Sequence, residues 1–260
     1  MTKEELTKKI DNAPSLDFGD IFNESMELFK KVWLQGFIAR LLQVVVGFII
    51  VLISYIPLFM MLGFFGVTVG ALGEDVAPAA ALPMVLLLIV GILLIILISG
   101  VASMAISAAF FRICKMKDHD ELGNDDYFYY FQKRYYKKMA VLVGASILIS
   151  IPAALLCYLP LFYVIIPITF FTLFFAFNPE MTANDIISVS FNLGTKKWGI
   201  TFLSVVLFGI MAYIVGLILC GIGVLFTMSF AQLPFYLVYK KVIGFDKDYR
   251  ISTIGLPAEN

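Results

Sequence analysis

Few residues in this chain have the type and spacing to do chemistry. A single histidine, His119, stands in the charged stretch 115–121, and Cys114, Cys157 and Cys220 lie far apart with no Cys-x-x-Cys pair. A metal centre needs several convergent donors, so His119 reads as a solvated loop residue and the cysteines as packing residues. Gly36, Arg40, Gln43, Gly47 and Ser54 recur along one helical face. Such a stripe would bring Arg40 to a lipid phosphate or another anionic headgroup. The simpler alternative is an arginine reaching for the membrane surface beside a small-residue helix contact. Ser99, Ser103 and Ser107 repeat four apart, as do Ala212 and Gly216, a pattern of close helix packing. Gln232, just before Pro234, either bonds across a bundle or lines a cavity, with packing the safer choice. Lys133, Arg134, Lys137 and Lys138, interleaved with Tyr135 and Tyr136, suit anionic lipid headgroups, although such residues also flank ordinary membrane spans.

The elements that position these side chains are set by hydropathy. Of 260 residues, 61% are hydrophobic, and the mean hydropathy is +0.94. Ordinary soluble domains hold roughly 45–50% apolar residues. Here the apolar residues come in long uncharged blocks, the mark of a bilayer rather than water as main solvent. Six blocks are long enough for helices that cross it: 41–65, 82–111, 139–156, 159–177, 198–220 and 223–239. The first two exceed the roughly 20 residues required and must tilt, kink near Pro57 or project. Leu159-Pro160 and Gly221-Ile222-Gly223 turn the third into the fourth and the fifth into the sixth as tight hairpins. The polar start of the chain, followed by apolar sequence only near Val32, does not fit a cleavable signal peptide.

Charge orients the spans, because Lys and Arg beside them are retained in the cytoplasm. Lys3, Lys8, Lys9, Lys30, Lys31 and Arg40 precede or begin the first span. Arg112, Lys115, Lys117, Lys133, Arg134, Lys137 and Lys138 lie between the second and third. Lys196 and Lys197 precede the fifth, and Lys240, Lys241, Lys247 and Arg250 follow the sixth. With six spans, all 19 basic residues fall on one side, and the loop 73–83 on the other side carries only Glu74 and Asp75. The expected fold is therefore an all-α polytopic bundle of six transmembrane helices in a single domain, 17–243. A polar N-terminal tail, 1–16, and a C-terminal tail, 244–260, lie in the cytoplasm.

An internal repeat accompanies this plan. Phe18, Ile21, Phe22, Leu28, Phe29, Val32 and Trp33 form the apolar face of an amphipathic helix suited to the membrane interface. Asp20, Ile21, Ser25, Leu28, Lys31 and Trp33 match Asp185, Ile186, Ser190, Leu193, Lys196 and Trp198 at one offset, without a gap. Asp17 and Thr182 stand three residues ahead of the two aspartates, so each helix is expected to start on a side-chain cap with an acid in its first turn. Trp33 and Trp198 are the interfacial anchors. A weaker third copy precedes the third span, keeping Asp126, Lys137 and an aromatic belt. Three units follow, 17–117, 122–178 and 182–243, each an interfacial helix and a hairpin, in parallel rather than inverted repeat.

The order of interfacial helix and hairpin, then a Ser190- and Trp198-bearing helix and a glycine-turned hairpin ending in Leu233-Pro234-Phe235-Tyr236 and Tyr239-Lys240, resembles a group of bacterial membrane proteins. This group is the glycerophosphodiester phosphodiesterase membrane-domain-like and YciC-like families, and the likeness runs from Asp17 to Tyr249. It implies a six-helix inner-membrane protein of largely unknown function. Relatives sometimes carry the label beta-carotene monooxygenase, but such enzymes hold iron with four histidines, and the phosphodiesterase itself needs histidines with carboxylates. His119 alone meets neither requirement.

The spans hold no Asp, Glu, Lys or His, which lowers the case for ion-coupled transport. The expectation is a non-enzymatic protein, with no cofactor, acting through membrane lipids or a membrane-protein partner, as an accessory subunit or assembly factor would. The competing expectation is a permease or flippase-like transporter of a hydrophobic or anionic amphiphile; an enzyme acting on a membrane lipid ranks third. Nothing in the charge pattern suits nucleic acid.

Overall fold

The structure, a computed structural model, describes residues 1–72, 77–156, 158–218 and 223–245. Glu74, Asp75, Cys157, Cys220, Gly221, Ile222, Lys247, Arg250 and most of the expected C-terminal tail lie outside these. The elements are α1 Lys3–Asp11, α2 Phe18–Leu72, α3 Ala77–Asp118, α4 Lys133–Leu155, α5 Leu159–Phe177, α6 Ala183–Lys196, α7 Trp198–Ile218, α8 Gly223–Thr227 and α9 Leu233–Val242. Among the described residues there is no strand. Among the described residues, five helices are long and apolar enough to cross a membrane, at Phe18–Pro57, Val85–Asp118, Lys133–Leu155, Leu159–Phe177 and Trp198–Ile218.

The sixth apolar block is not one helix. After α8 the chain turns at Met228 and Ser229, passes through a 3-10 turn at Phe230–Gln232, and resumes as α9. Pro234 has no N–H to give the Phe230 carbonyl, and its ring would collide with that group in a continuous helix. Thr227 secures the break by donating its hydroxyl to the Ala212 carbonyl of α7 at 2.6 Å and to Gly223 at 3.1 Å. Hydropathy counts residues and misses such an interruption.

Two of the amphipathic segments also differ from expectation. The first is continuous with its span: no proline or cap interrupts Trp33 to Leu41, so α2 runs 55 residues, through Pro57. At 1.5 Å per residue that is about 80 Å, against a hydrocarbon layer of roughly 30 Å. The copy expected before the third span is not a separate helix. Asp126 accepts from the Phe128 N–H at 2.9 Å, which bends Tyr127–Tyr130 into turns, and helix starts only at Lys133. The α6 copy is a discrete helix, closed by its cap at Lys197. Its apolar face, Ile186, Val189, Leu193 and Gly194, is buried. It lies along α5, where a Cβ on Gly194 would come within 2.8 Å of the Pro167 Cα.

The N-terminal segment read as a tail is helix α1. A capping box starts it: Thr2 Oγ1 accepts from the Glu5 N–H at 3.3 Å, and Glu5 Oε2 from the Thr2 N–H at 2.8 Å. The backbone bond from Thr2 holds the Glu5 carboxyl below its ordinary pKa. Leu6 and Ile10 are fully buried, and Lys3–Asp185 and Lys196–Asp11 ion pairs at 3.5 and 3.3 Å tie α1 to α6.

Charged contacts gather the helix ends. Lys241 of α9 pairs with Glu24 of α2 at 2.7 Å, and Lys240 with Asp118 of α3 at 2.8 Å. Asn178, just after α5, donates to the Tyr239 hydroxyl at 2.8 Å. The start of α2 and the ends of α3, α5 and α9 thus share one end of the bundle. The core sits near that end and is aromatic: Phe110, Phe111, Phe170, Phe174, Tyr130 and Tyr236 are fully buried. Away from it the outer surface is apolar, with Phe48, Ile53, Phe59, Leu86 and Ile98 exposed, as a lipid-facing surface requires.

Candidate functional site

Arg40 and Gln43 lie one turn apart on α2, and the structure connects them to the serine stripe of α3. Arg40 Nη1 donates to Gln43 Oε1 at 3.0 Å. Gln43 Nε2 donates to Ser107 Oγ at 2.8 Å and to the Ser103 carbonyl at 3.2 Å. A guanidinium can only donate, so the Gln43 oxygen faces Arg40 and its NH2 faces α3. Arg40 is half-buried, and among the described residues no carboxylate lies within 4.0 Å of it.

The rest of the stripe splits. Gly36 makes the expected small-residue contact: a Cβ there would overlap the Ser229 side chain at the α8–α9 break. Gly47 has open space around it, and Ser54 is half-exposed. Gln232 sits half-buried in the 3-10 turn and is not a member of the Arg40–Gln43–Ser107 chain.

Ser103 and Ser107 belong also to a groove of about 560 Å³ between α3, α4 and α5. Gly100 lets α3 and α4 approach there, since a Cβ would come within 2.6 Å of Val143 Cγ1. Along α4, Val143, Ser146, Ile147, Ser150 and Ile151 face the groove, and Leu161 and Thr172 of α5 close it. Ser146 returns its hydroxyl to the Leu142 carbonyl at 2.9 Å. Ile96, Ser103 and Ile151 are exposed, so the groove opens on the apolar outer surface.

The basic segment is the start of α4. Lys133, Arg134, Lys137 and Lys138 occupy its first two turns, with no acid in the first and no side-chain cap from Gln132. The other polar helix starts are acidic: Glu4 and Glu5 in α1, Asp20 in α2, Asp185 in α6. Cations at a helix N-terminus oppose the helix dipole. Lys138 donates to the Pro179 carbonyl, while Lys133, Arg134 and Lys137 are exposed. Arg134 lies 4.4 Å from the Tyr135 ring centre and Arg112 4.0 Å from that of Tyr129. Beneath them Tyr130 donates to the Ala176 carbonyl at 2.7 Å. Burial pushes its phenol up, and both arginine charges pull against that shift.

The two tryptophans differ. Trp33 is exposed beside Phe226, with ring centres 6.2 Å apart. Trp198 is half-buried, stacks on Phe202 at 4.7 Å and donates its N–H to the Tyr163 carbonyl at 3.2 Å. His119 is exposed, edge-on to Phe245 at 5.6 Å. Cys114 is buried. Among the described residues no three His, Cys, Asp or Glu side chains converge as metal ligands.

Sequence reasoning passed over Arg112 and Tyr129 as a pair, and the bond between the α2 and α3 stripes. Both are contacts between segments distant in sequence. The visible signal was spacing alone: Gln43 and Ser107 each lie on a small, polar stripe. No family model matches the chain, and no match is found among curated proteins or solved structures.

Proposed function

We propose that this chain is a six-pass protein of the bacterial inner membrane, with both termini in the cytoplasm, that acts without catalysis through lipids or a membrane-protein partner. An accessory subunit or assembly factor has this character. The observation that carries the proposal is the cluster of exposed cations at the acid-free start of α4, beside an aromatic belt. Lys3, Lys196, Lys240 and Lys241 form ion pairs between helices, and Lys31 and Lys117 pair with Asp120 and Asp125 of the segment that joins α3 to α4. Around α4, no carboxylate among the described residues lies within 4.0 Å of Arg112, Lys133, Arg134 or Lys137. Exposed cations beside an aromatic belt are placed for anionic headgroups, at about 1 kcal/mol per Lys or Arg near the surface.

In this reading α8 and α9 together form the sixth pass, broken at Pro234. The parallel repeat is supported by matched caps: the Asp20 N–H donates to Asp17 at 3.1 Å, and the Asp185 N–H to Thr182 at 3.2 Å. It is also supported by the burial of Ile21 with Ile186 and Leu28 with Leu193. The resemblance to the phosphodiesterase membrane-domain-like and YciC-like group agrees with this architecture.

A second reading, transport of a hydrophobic or anionic amphiphile, is favoured by the groove and by the Arg40–Gln43–Ser107 chain at its wall. Purification of the tagged protein in gentle detergent, with identification of co-purifying proteins and lipids, separates the two. A stoichiometric protein partner, or bound anionic lipid lost when Arg112, Arg134 and Lys137 are changed to glutamine, supports the first. A protein that comes away alone and moves an amphiphile across proteoliposomes overturns it.

A further inference from the structure

The groove between α3, α4 and α5 has a hydroxyl donor on its wall, and the direction of the hydrogen bonds that reach it points to the ligand chemistry. Arg40 donates to Gln43 at 3.0 Å, and Gln43 donates to Ser107 Oγ at 2.8 Å. Having accepted there, the Ser107 hydroxyl keeps its own hydrogen to donate onward. Successive donors polarise one another, more strongly in a low-dielectric interior, and this chain starts on a cation. Ser107 is thus a strengthened neutral donor on the groove wall.

The remaining lining sets the other limits. Ile96, Val143, Ile147, Ile151 and Leu161 make the groove mostly apolar, and no charged side chain lines it. An ionised ligand group there would be desolvated with no partner in contact. An apolar ligand without an acceptor would leave the Ser107 hydrogen unused. The volume, about 560 Å³, is on the scale of one long lipid chain, and the groove is reached from the lipid-facing surface. Ser107 lies five residues inside Arg112 on α3, a depth of about 8 Å.

We propose that the groove binds a neutral lipid through a carbonyl oxygen, which accepts from Ser107 while an apolar chain lies against Val143, Ile147 and Ile151. An ester carbonyl of a diacylglycerol and a ring carbonyl of an isoprenoid quinone share this chemistry. The inference rests on the lipid arm of the proposed function and names a site separate from the cations of α4.

The test is thermal unfolding of the full-length protein in detergent with added dioleoylglycerol, its diether analogue, or decylubiquinone. The diether keeps both chains and lacks the carbonyls. At least one carbonyl lipid is expected to raise the melting temperature in a saturable way while the diether does not, and which lipid does so identifies the source. Ser107→Ala and Gln43→Leu are expected to weaken that lipid by about tenfold, the usual scale for one buried hydrogen bond. Ser150→Phe, which fills the opposite wall without touching the chain, should abolish the shift and guards against a Ser107 or Gln43 variant that folds poorly. Equal stabilisation by the diether overturns the proposal, as does a lipid affinity unchanged by Ser107→Ala and Ser150→Phe. If neither carbonyl lipid binds but anionic lipid or a protein partner co-purifies, the site falls and the broader function stands.

Discussion

Gln43 of α2 bonds Ser107 of α3 through its amide NH2 at 2.8 Å, and the same amide accepts from Arg40 at 3.0 Å. This joins two stripes that in sequence look like separate packing faces. Hydrogen bonds between membrane helices contribute about 0.6 kcal/mol on average and up to about 1.7. Gln43→Leu, which removes the bonds to Ser107 and to the Ser103 carbonyl, should therefore lower unfolding free energy by about 1 kcal/mol in mixed micelles. A double-mutant cycle with Ser107→Ala should show coupling of about 0.5 kcal/mol or more. Strictly additive losses would mean that the two side chains do not bond.

Close approach at glycine makes a second, sharper expectation. A Cβ on Gly194 would lie 2.8 Å from the Pro167 Cα, and one on Gly216 2.7 Å from the Val224 Cα. Backbone atoms in packed helices cannot yield as a side-chain tip can, so Gly194→Ala and Gly216→Ala should each cost about 1–3 kcal/mol. Gly209, on α7 with nothing within 4 Å of its Cβ position, is the control. There alanine should be neutral or stabilise by up to about 1 kcal/mol through helix propensity. If all three variants unfold alike, the α5–α6 and α7–α8 contacts are not as close as described.

What was legible in the sequence was local or periodic. The caps at Asp17 and Thr182 follow from residue type and spacing, and their hydrogen bonds are where that spacing puts them. Five long apolar helices follow from hydropathy. What was not legible depends on partners. Helix α1 looked like a tail because Leu6 and Ile10 are too few to signal a buried face; α6, packed against α1, lies far away in sequence. The break before α9 was foreshadowed by Pro234, but uniform hydropathy over 223–239 argued for one helix. The acid-free start of α4 could be read directly; the approach of Arg112 to the Tyr129 ring beside it could not, because that contact joins α3 to the segment that follows it.

Ser25 and Ser190 occupy equivalent places in the matched segments, both fully buried and both with hydroxyls that find no hydrogen-bond partner among the described residues. Burying an unpaired hydroxyl costs about 1–3 kcal/mol by mutational measures. Ser25→Ala and Ser190→Ala should accordingly leave stability unchanged or raise it by about 1 kcal/mol, an unusual outcome for a fully buried position. Loss of more than that amount in either variant, measured by unfolding in micelles, would show that the hydroxyl is bonded in the working protein.

Alkaline stability should report on Tyr127. Burial, reinforced by the Asp125 carboxylate, pushes its phenol up to about 12 from an ordinary value of 10.0, and its hydroxyl donates to the Gln35 carbonyl at 3.3 Å. An acid whose folded pKa is raised stays protonated longest when folded. Its contribution is intact below the unfolded value near 10 and is lost as pH climbs through 12. Melting temperature should fall over that window, and Tyr127→Phe should flatten the Tyr127 share of the fall. An identical pH profile in the variant would place the alkaline loss elsewhere.

Orientation is open to direct test, because the number of passes and the sidedness of the basic end stand or fall together. The Lys241–Glu24 pair at 2.7 Å places the end of α9 beside the start of α2. In the proposed six-pass reading the broken α8–α9 segment is the return that brings those ends to one face. In a variant lacking Cys114, Cys157 and Cys220, a cysteine introduced by Leu122→Cys tests the basic end, since Leu122 is 96% exposed between α3 and α4. It should react with an impermeant maleimide only after cells are opened, while one from Glu74→Cys should react in intact cells. Labelling of both in intact cells would break the link between basic residues and the cytoplasm. The reverse pattern would invert the molecule and, with it, place the unpaired cations of α4 against the outer leaflet.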